Sequence, residues 1–218
     1  MVAECGELTI EGITIRGTRC GLRDFARRDI APFAAWQAPE HSWHDTNGPY
    51  FGRPTAAEGA RVSGAMATLV ERPVSALPVP RARLAVVDLT DRLVGVVTWH
   101  WESEETGWRR MGIVLFDPAV RGHGIGTEAL ALWTSYLFET TSVRRLDFAT
   151  YSGNMAMCGI GRRLGFTEEA RFREARAWAD QVHDSVVYGV LRVEWASRAI
   201  VSPGEPNAVD PALPVEQP

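Results

Sequence analysis

The most constraining feature of the chain is a glycine-rich segment, Arg121-Gly122-His123-Gly124-Ile125-Gly126-Thr127. It lies between an apolar run over 112–116 and a stretch of helically spaced apolar residues that starts near Gly124. A strand, a glycine turn and a helix N-terminus in this order form an anion site. Glycine lets main-chain N–H groups approach a phosphate closely, and the helix dipole favours negative charge there. The segment therefore predicts a binding site for a phosphate-bearing molecule.

Two well-known glycine loops fit this segment poorly. A P-loop requires Lys followed by Ser or Thr after its last glycine, whereas Gly126 is followed by Thr127 and Glu128. A dinucleotide site requires the spacing G-x-G-x-x-G and an acidic residue about 20 positions later. Asp147 lies at a suitable distance, but the glycine spacing differs and the loop lies past the middle of the chain. A nucleotide or NAD binder that uses Asp147 stays open as an alternative.

A third pattern, Arg/Gln-x-x-Gly-x-Gly/Ala, is the pyrophosphate loop of the GNAT acetyltransferases, and Arg121, Gly124 and Gly126 match its fixed positions. Residues 154–166 resemble the second signature of that family, in which an Asn opens a helix that ends in Leu-Gly-Phe. Residues 188–195 resemble the closing strand of the subgroup that includes ribosomal-protein N-acetyltransferases. The chain is thus similar to the GNAT superfamily, and its specific motifs lie in the second half.

The resemblance, which covers Leu8 to Trp195, implies the GNAT fold. This is an α/β fold of the α+β kind, with a central mixed, mostly antiparallel, splayed sheet flanked by helices. It also implies an N-acetyltransferase that uses acetyl-CoA and a primary amine, by direct attack in a ternary complex. In the family the pantetheine arm lies in the splay against the strand before the loop. The implied CoA contacts are Val114, Leu115, Phe116, Arg121, Gly122, His123, Gly124, Ile125, Gly126, Thr127 and Asn154.

Hydrophobic periodicity predicts the element order β-α-α-β-β-β-α-β-α-β-β. The predicted strands are 8–22 (broken by Gly12 and Gly17), 83–89, 93–101, 108–116, 145–150, 167–176 and 182–193. The predicted helices are 25–36 with Asp24 as its cap, 55–70 with a Thr55–Glu58 capping box, one after the glycine loop, and 154–164. Residues 1–200 are expected to form one domain. The proline-rich, acidic composition of 201–218 predicts a disordered tail.

Two positions depart from the family's pattern. Members often place a Tyr, as the acid for the leaving thiolate, seven residues after the helix-opening Asn, where this chain has Gly161. Related enzymes often place a Glu, as the base, two residues before the glycine of the fourth strand, where this chain has Arg110. These departures leave open a non-catalytic acyl-CoA-binding protein or sensor.

Two clusters supply candidates for catalysis. His100 and Glu102 lie near the end of a predicted strand between Trp99 and Trp101, and aromatic walls suit a substrate cleft. His44, in an aromatic-rich loop, is a candidate for a water-mediated base, because imidazole titrates near neutral pH.

The candidate acceptor contacts are Trp43, Tyr50, Trp101 and Arg110. The competing interpretation is that Trp43, Tyr50 and Phe51 only pin their loop to the core. A fixed positive charge at Arg110 predicts a preference for acceptors with a carboxylate beside the amine, since guanidinium pairs with carboxylate in a bidentate fork. The sequence does not distinguish a protein N-terminus, a polyamine, an antibiotic or an amino acid as the acceptor.

Charge and composition exclude several classes. A formal net charge of −4 and a pI of about 5.8 argue against a general nucleic-acid binder. Three scattered cysteines predict a reducing compartment. The absence of a signal-peptide pattern or a long apolar stretch predicts a soluble, cytoplasmic protein without a membrane partner. His41, His44 and Asp45 lack a distant partner, so no metal is expected. A homodimer stays open.

Overall fold

Alternating apolar segments assemble into one sheet in the computed structural model, which describes residues 12–48 and 50–198. The strands are β1 Thr14–Arg16, β2 Cys20–Arg23, β3 Arg83–Asp88, β4 Leu93–Ser103, β5 Trp108–Leu115, β6 Arg145–Tyr151, β7 Thr167–Trp178 and β8 Gln181–Leu191. The helices are α1 Ile30–Trp36, α2 Ala56–Val70, α3 Ile125–Thr140, α4 Met155–Arg163 and α5 Arg192–Arg198. The strand order is β1-β2-β3-β4-β5-β6-β8-β7, and the predicted mixed sheet flanked by helices is confirmed.

Each face of the sheet is covered by its own apolar core. On one face, α3 buries Leu130, Trp133 and Leu137 completely in a core that includes Val97 and Phe148. The i, i+3, i+4, i+7 spacing of apolar residues in α3 produces this buried stripe. On the other face, a smaller core around Phe116 unites α1 and α2 with strands β3 and β4. The second face, beyond this smaller core, carries most of the cavity described below.

The splay lies between β5 and β6, which are parallel neighbours. They pair only at Arg109↔Leu146 and Arg110↔Asp147, and the strands diverge beyond these pairs. Main-chain groups on the facing edges past Arg110 therefore lack a strand partner. Buried main-chain groups require hydrogen-bond partners, so the opening is suited to a ligand that presents amide groups.

The break predicted at Gly17 is confirmed, because Gly17 begins the turn that joins β1 to β2, in which its N–H donates to Cys20 O at 2.8 Å. Two predicted boundaries were wrong for local reasons. Asp24 does not cap α1, which begins at Ile30, because its carboxylate pairs with Arg81 at 2.8 Å and accepts from Ile13 N at 2.9 Å. The last strand ends at Leu191 and residues 192–198 are helical.

The remaining predicted elements agree closely with the observed ones. The capping box of α2 is confirmed, since Thr55 accepts from Glu58 N and the Glu58 side chain accepts from Thr55 N. The turn at Asp91 uses a left-handed φ of 64°, which Asp tolerates. The predicted tail over 201–218 lies outside the described residues.

Candidate active site

The glycine loop joins β5 to α3 through two left-handed residues. Gly122 has φ 80° and Gly124 has φ 82°, which L side chains rarely adopt. Gly124 is also the N-cap of α3 and has no side chain with which to cap it. The first-turn N–H groups of α3 are thereby left for an anion, and the helix dipole adds partial positive charge at the same place.

Arg121 adds a full positive charge at this loop. Its Nη2 donates to Leu115 O at 3.0 Å. Burial lowers the pKa of this guanidinium, and the charge of nearby Asp117 only partly opposes that effect. Asp117 pairs instead with Arg92 at 3.0 Å. Among residues 12–48 and 50–198, no carboxylate lies within ion-pair distance of Arg121, so its charge is available to an external phosphate.

The start of α4 lies beside the loop. Asn154 caps α4, because its Oδ1 accepts from Met157 N at 3.1 Å, and its Nδ2 donates to Thr46 O at 3.3 Å. A Cβ on Gly126 would lie 3.2 Å from Ile160 Cδ1, so this glycine allows α3 and α4 to approach closely. Sequence reasoning missed Arg163, an exposed residue at the end of α4 that lines the same cavity.

Only some of the residues predicted to contact the CoA arm have main-chain groups that face the splay. Phe116 N donates to Val94 O at 2.9 Å, so its main chain faces β4. Because main-chain groups alternate along a strand, Val114 also faces β4, whereas Ile113 and Leu115 face the splay. Phe116 is buried in the smaller core and does not line the cavity, so its predicted contact with CoA does not fit this geometry. Val114 reaches the cavity through its side chain.

The side chains of two loop residues also lie outside the cavity. Ile125 is a core residue packed under α3, and its carbonyl accepts from Cys20 Sγ at 3.8 Å. His123 is exposed and does not line the cavity. The side chains of these two residues are therefore not placed to contact CoA, and a contact through their main-chain N–H groups stays a prediction. Arg121, Gly122, Gly124, Gly126 and Thr127 do line the cavity.

One cavity connects the loop to the opposite side of the splay. Its volume is about 1310 Å³, which exceeds the roughly 300–1,000 Å³ of a typical small-molecule site. It extends from Gly124 through Ile113 to Tyr50 and Arg176. The space is sufficient for two molecules that meet at the splay. The part near the loop and α4 is called the donor half, and the part around Tyr50, His100, Glu102, Arg110 and Arg176 the acceptor half.

A buried carboxylate organises the charges of the acceptor half. The Asp147 side chain is completely buried and accepts from Trp108 Nε1 at 2.6 Å, Arg110 Nε at 2.8 Å and Arg145 Nη2 at 3.3 Å. Arg110 also pairs with Glu102 at 2.9 Å, and Arg145 pairs with Glu169. Burial lowers the pKa of Arg110, but its contacts with Asp147 and Glu102 raise it by more.

This cluster changes two interpretations. Arg110 lines the cavity, but its charge is compensated by two carboxylates, so it is not the free cation that the sequence predicted. The dinucleotide alternative does not fit either, because Asp147 has no exposed oxygen for a ribose. No local sequence pattern indicates the cluster, since its members come from four different strands.

His100 and Glu102 are placed on the cavity side of β4, whereas Trp101 is not. His100 and Glu102 line the cavity together with Thr98, and His100 is exposed. Side chains alternate along a strand, so Trp99 and Trp101 point to the other face, where both rings contact the guanidinium of Arg109 at 4.0 and 4.2 Å. The predicted role of Trp101 as a wall of the substrate cleft therefore does not fit this geometry.

In the aromatic loop before α2, some side chains are likewise buried in the core and others line the cavity. Trp43 is buried, donates from Nε1 to Trp36 O at 2.6 Å and packs on Phe116. His44 is also buried, its Nε2 contacts Ala38 O at 3.0 Å, and burial lowers the pKa of its imidazole. Neither side chain lines the cavity. Their predicted roles in acceptor binding and catalysis do not fit, and the core-pinning interpretation does.

Tyr50 does reach the acceptor half. Its hydroxyl donates to Thr150 O at 2.7 Å and lies 3.0 Å from Ser185 Oγ. The guanidinium of Arg176 lies 4.3 Å from the centre of the Tyr50 ring. Sequence reasoning missed Arg176 and Ser185, because they lie on an edge hairpin whose alternation is broken by a register shift between Phe172 and Arg176.

Gly161, at the position where members of the family often have a tyrosine, does not line the cavity. A Cβ at Gly161 would lie 2.8 Å from Phe148 Cζ and 3.0 Å from Tyr188 Cδ1. The glycine is buried where α4 approaches the sheet. Its role is close packing of a helix on aromatic residues.

Within the described part of the chain, His, Cys, Asp and Glu residues form no group of three or more suited to a metal ion. In the same part, none of the helices has the length and apolar character needed to cross a membrane.

Known proteins resemble this chain in sequence and in fold. The acetyltransferase (GNAT) domain model matches residues 19–167. A Bacillus subtilis (strain 168) protein, provisionally named as the ribosomal N-acetyltransferase YdaF, is 32% identical over 74 residues. That match covers 34% of this chain and only 40% of the relative's length.

Solved structures share the fold along most of the chain. A GNAT-family acetyltransferase from Bacillus anthracis has a TM-score of 0.64 at 16% identity and covers 84% of this chain and 100% of its own. A Chromobacterium violaceum protein described as a probable GNAT-family acetyltransferase has a TM-score of 0.61 at 25% identity and covers 88% and 91%. A Vibrio cholerae spermidine N-acetyltransferase, solved with CoA and spermine, has a TM-score of 0.64 at 14% identity and covers 83% and 99%.

Proposed function

The chain belongs to the GNAT acetyltransferase family and is an acyltransferase, and on that premise we propose that it acetylates a primary amine with acetyl-CoA. The observation that carries this proposal is the single cavity through the splay, which joins a phosphate-type loop to a cleft with an exposed imidazole. Acetyl-CoA would supply the acetyl thioester, which the amine attacks directly in a ternary complex.

The donor half is suited to CoA by its main chain. The first-turn N–H groups of α3 and the guanidinium of Arg121 would hold the pyrophosphate. The main-chain groups of Ile113 and Leu115, on the edge of β5 that faces the splay, would pair with the amides of the pantetheine arm. Asn154 fixes the start of α4 next to this edge. Arg163 would meet a further phosphate.

His100 is the residue we assign as the base. A primary amine must lose its proton before it attacks, and imidazole is the side chain best suited to accept a proton near neutral pH. His100 is exposed in the acceptor half and lies directly across from Arg110. Glu102 is less suited, because its carboxylate is paired with Arg110 at 2.9 Å. Holding the two reactants together would supply much of the rate.

Gly124→Glu tests the donor half. The new carboxylate lies where the pyrophosphate is proposed to bind, so affinity for acetyl-CoA should fall at least roughly 100-fold by calorimetry. Gly124→Ala adds the strain of a left-handed residue and a 3.2 Å contact with the flexible Arg19 side chain, but no charge, and should cost much less affinity. Gly64→Glu, in open space on α2, should bind as wild type does. Equal binding by Gly124→Glu and Gly64→Glu would refute the loop assignment.

Activity measurements on wild type and a His100 variant distinguish an enzyme from a non-catalytic acyl-CoA-binding protein. The departures from the family pattern at Arg110 and Gly161 favour the non-catalytic alternative. CoA release against a panel of primary amines should be measurable for wild type. His100→Gln should lower kcat roughly 100-fold or more while leaving the affinity for acetyl-CoA unchanged. Tight acetyl-CoA binding without release for any amine would support the sensor. Unchanged kcat in His100→Gln would remove His100 as the base.

A further inference from the structure

One arginine of the acceptor half has no carboxylate partner among the described residues. Five arginines and two carboxylates line the cavity. Both carboxylates are paired, Glu102 with Arg110 and Glu169 with Arg145. A third carboxylate, the buried Asp147, contacts both of these arginines. The acceptor half therefore offers no unpaired carboxylate, among the residues that the structure describes, to a polyamine.

Arg176 is the arginine without a carboxylate partner. In the described ranges no carboxylate lies within ion-pair distance of it, and its buried Nε has no hydrogen-bond partner. Its position is nevertheless defined, since the guanidinium stacks on the Tyr50 ring at 4.3 Å. The Tyr50 hydroxyl is tied to Thr150 O on β6 at 2.7 Å and to Ser185 Oγ on β8 at 3.0 Å. The charge is thus held against an anchored aromatic ring.

We propose that Arg176 selects acceptors that carry a carboxylate as well as the primary amine, such as amino acids or peptides with a free carboxylate. This inference rests on the proposed transfer reaction and names its substrate class. Guanidinium binds carboxylate through two parallel hydrogen bonds, and partial desolvation in the cavity strengthens them. The amine would point toward His100 and the splay, and the carboxylate toward the Tyr50–Arg176 wall. The preference that the sequence suggested for Arg110 is thereby assigned to a different residue.

The test compares matched acceptor pairs that differ only in the carboxylate, such as a peptide acid and its C-terminal amide. In wild type the acid should exceed the amide in kcat/KM by roughly 10-fold. Arg176→Gln should reduce this ratio to near one, and Arg176→Lys should restore part of it. Arg173→Gln, an exposed arginine on the same strand but outside the cavity, should leave the ratio unchanged.

A binding measurement makes the outcome independent of turnover. Calorimetric titration of the same pairs into protein saturated with CoA should show the same preference and the same loss in Arg176→Gln. Absence of transfer to any amine would overturn the proposed function, while the binding ratio would still decide the role of Arg176. Equal affinity for acid and amide in wild type, or an unchanged ratio in Arg176→Gln, would overturn the inference.

Discussion

The donor and acceptor halves of the cavity are built by different means. The donor half depends on main-chain geometry over a short stretch of sequence, with left-handed glycines and an uncapped helix start at Gly124. The acceptor half depends on side-chain charges from β4, β5, β6 and β7, gathered around the buried Asp147. Substitutions in the two halves should therefore have separable consequences, with affinity for acetyl-CoA changing in one and charge balance in the other.

The largest effect is expected from Asp147→Asn, which leaves Arg110 and Arg145 without their shared buried carboxylate. Removal of one partner from a buried ion pair costs about 3–5 kcal/mol, so the free energy of unfolding in urea should fall by that order. If the two halves are independent, the folded variant should keep its affinity for acetyl-CoA.

A matched control is Glu71→Gln, which removes an exposed carboxylate paired with Arg27. Exposed ion pairs contribute about 0–1 kcal/mol, so this variant should unfold nearly as wild type does. A loss of acetyl-CoA affinity in folded Asp147→Asn would show that the halves are coupled through the splay. A loss below about 1 kcal/mol would show that the cluster is not stabilising.

An intermediate effect is expected at α4 in the donor half. Gly161→Ala places a Cβ 2.8 Å from Phe148 Cζ, and overpacking of a core costs about 1–3 kcal/mol. Gly159→Ala, two residues earlier in open space, should instead be neutral or stabilise by up to about 1 kcal/mol, because Ala is the better helix former. The temperature of thermal unfolding should therefore fall in Gly161→Ala and stay the same or rise in Gly159→Ala. Equal changes would contradict a packing role for Gly161.

The sequence predicted the donor half better than the acceptor half for a physical reason. Gly124 and Asn154 act through their own main chain or through a residue three positions away, so a local pattern describes their function. The helices and most strands were also predicted, since their periodicity is local. The exceptions, such as Asp24, arise where a polar residue bonds to a distant partner instead of to its neighbour.

Local sequence patterns did not predict the arrangement of the acceptor half. Arg110 and Asp147 are 37 positions apart, and nothing near either residue indicates that they pair. Trp101 was placed at the cleft because it flanks His100 in sequence, but adjacent residues of a strand face opposite sides. Arg176 was missed because a register shift in β7 breaks the alternation that locates a side chain.

The smallest effect is expected at Glu128, which holds the hairpin turn against the donor half. Its carboxylate accepts from Thr18 N at 2.8 Å, Thr18 Oγ1 at 2.6 Å, Arg19 N at 2.7 Å and Cys20 N at 2.9 Å. Burial raises the pKa of this carboxyl, but these hydrogen bonds lower it by more, so its net pKa lies below the ordinary 4.5. The charged form is therefore favoured by folding.

The sign of the pH dependence follows from that direction. A folded-state pKa below the unfolded value contributes stability that is present above the unfolded pKa and is lost as pH falls through the folded pKa. Glu128→Gln should therefore unfold about 1–2 kcal/mol more easily at pH 7, and the difference from wild type should shrink below pH 4.5. Urea unfolding at several pH values measures it, with Glu40→Gln as the exposed control. A difference that stays constant down to pH 3 would show that the hydrogen bonds of Glu128 do not depend on its charge.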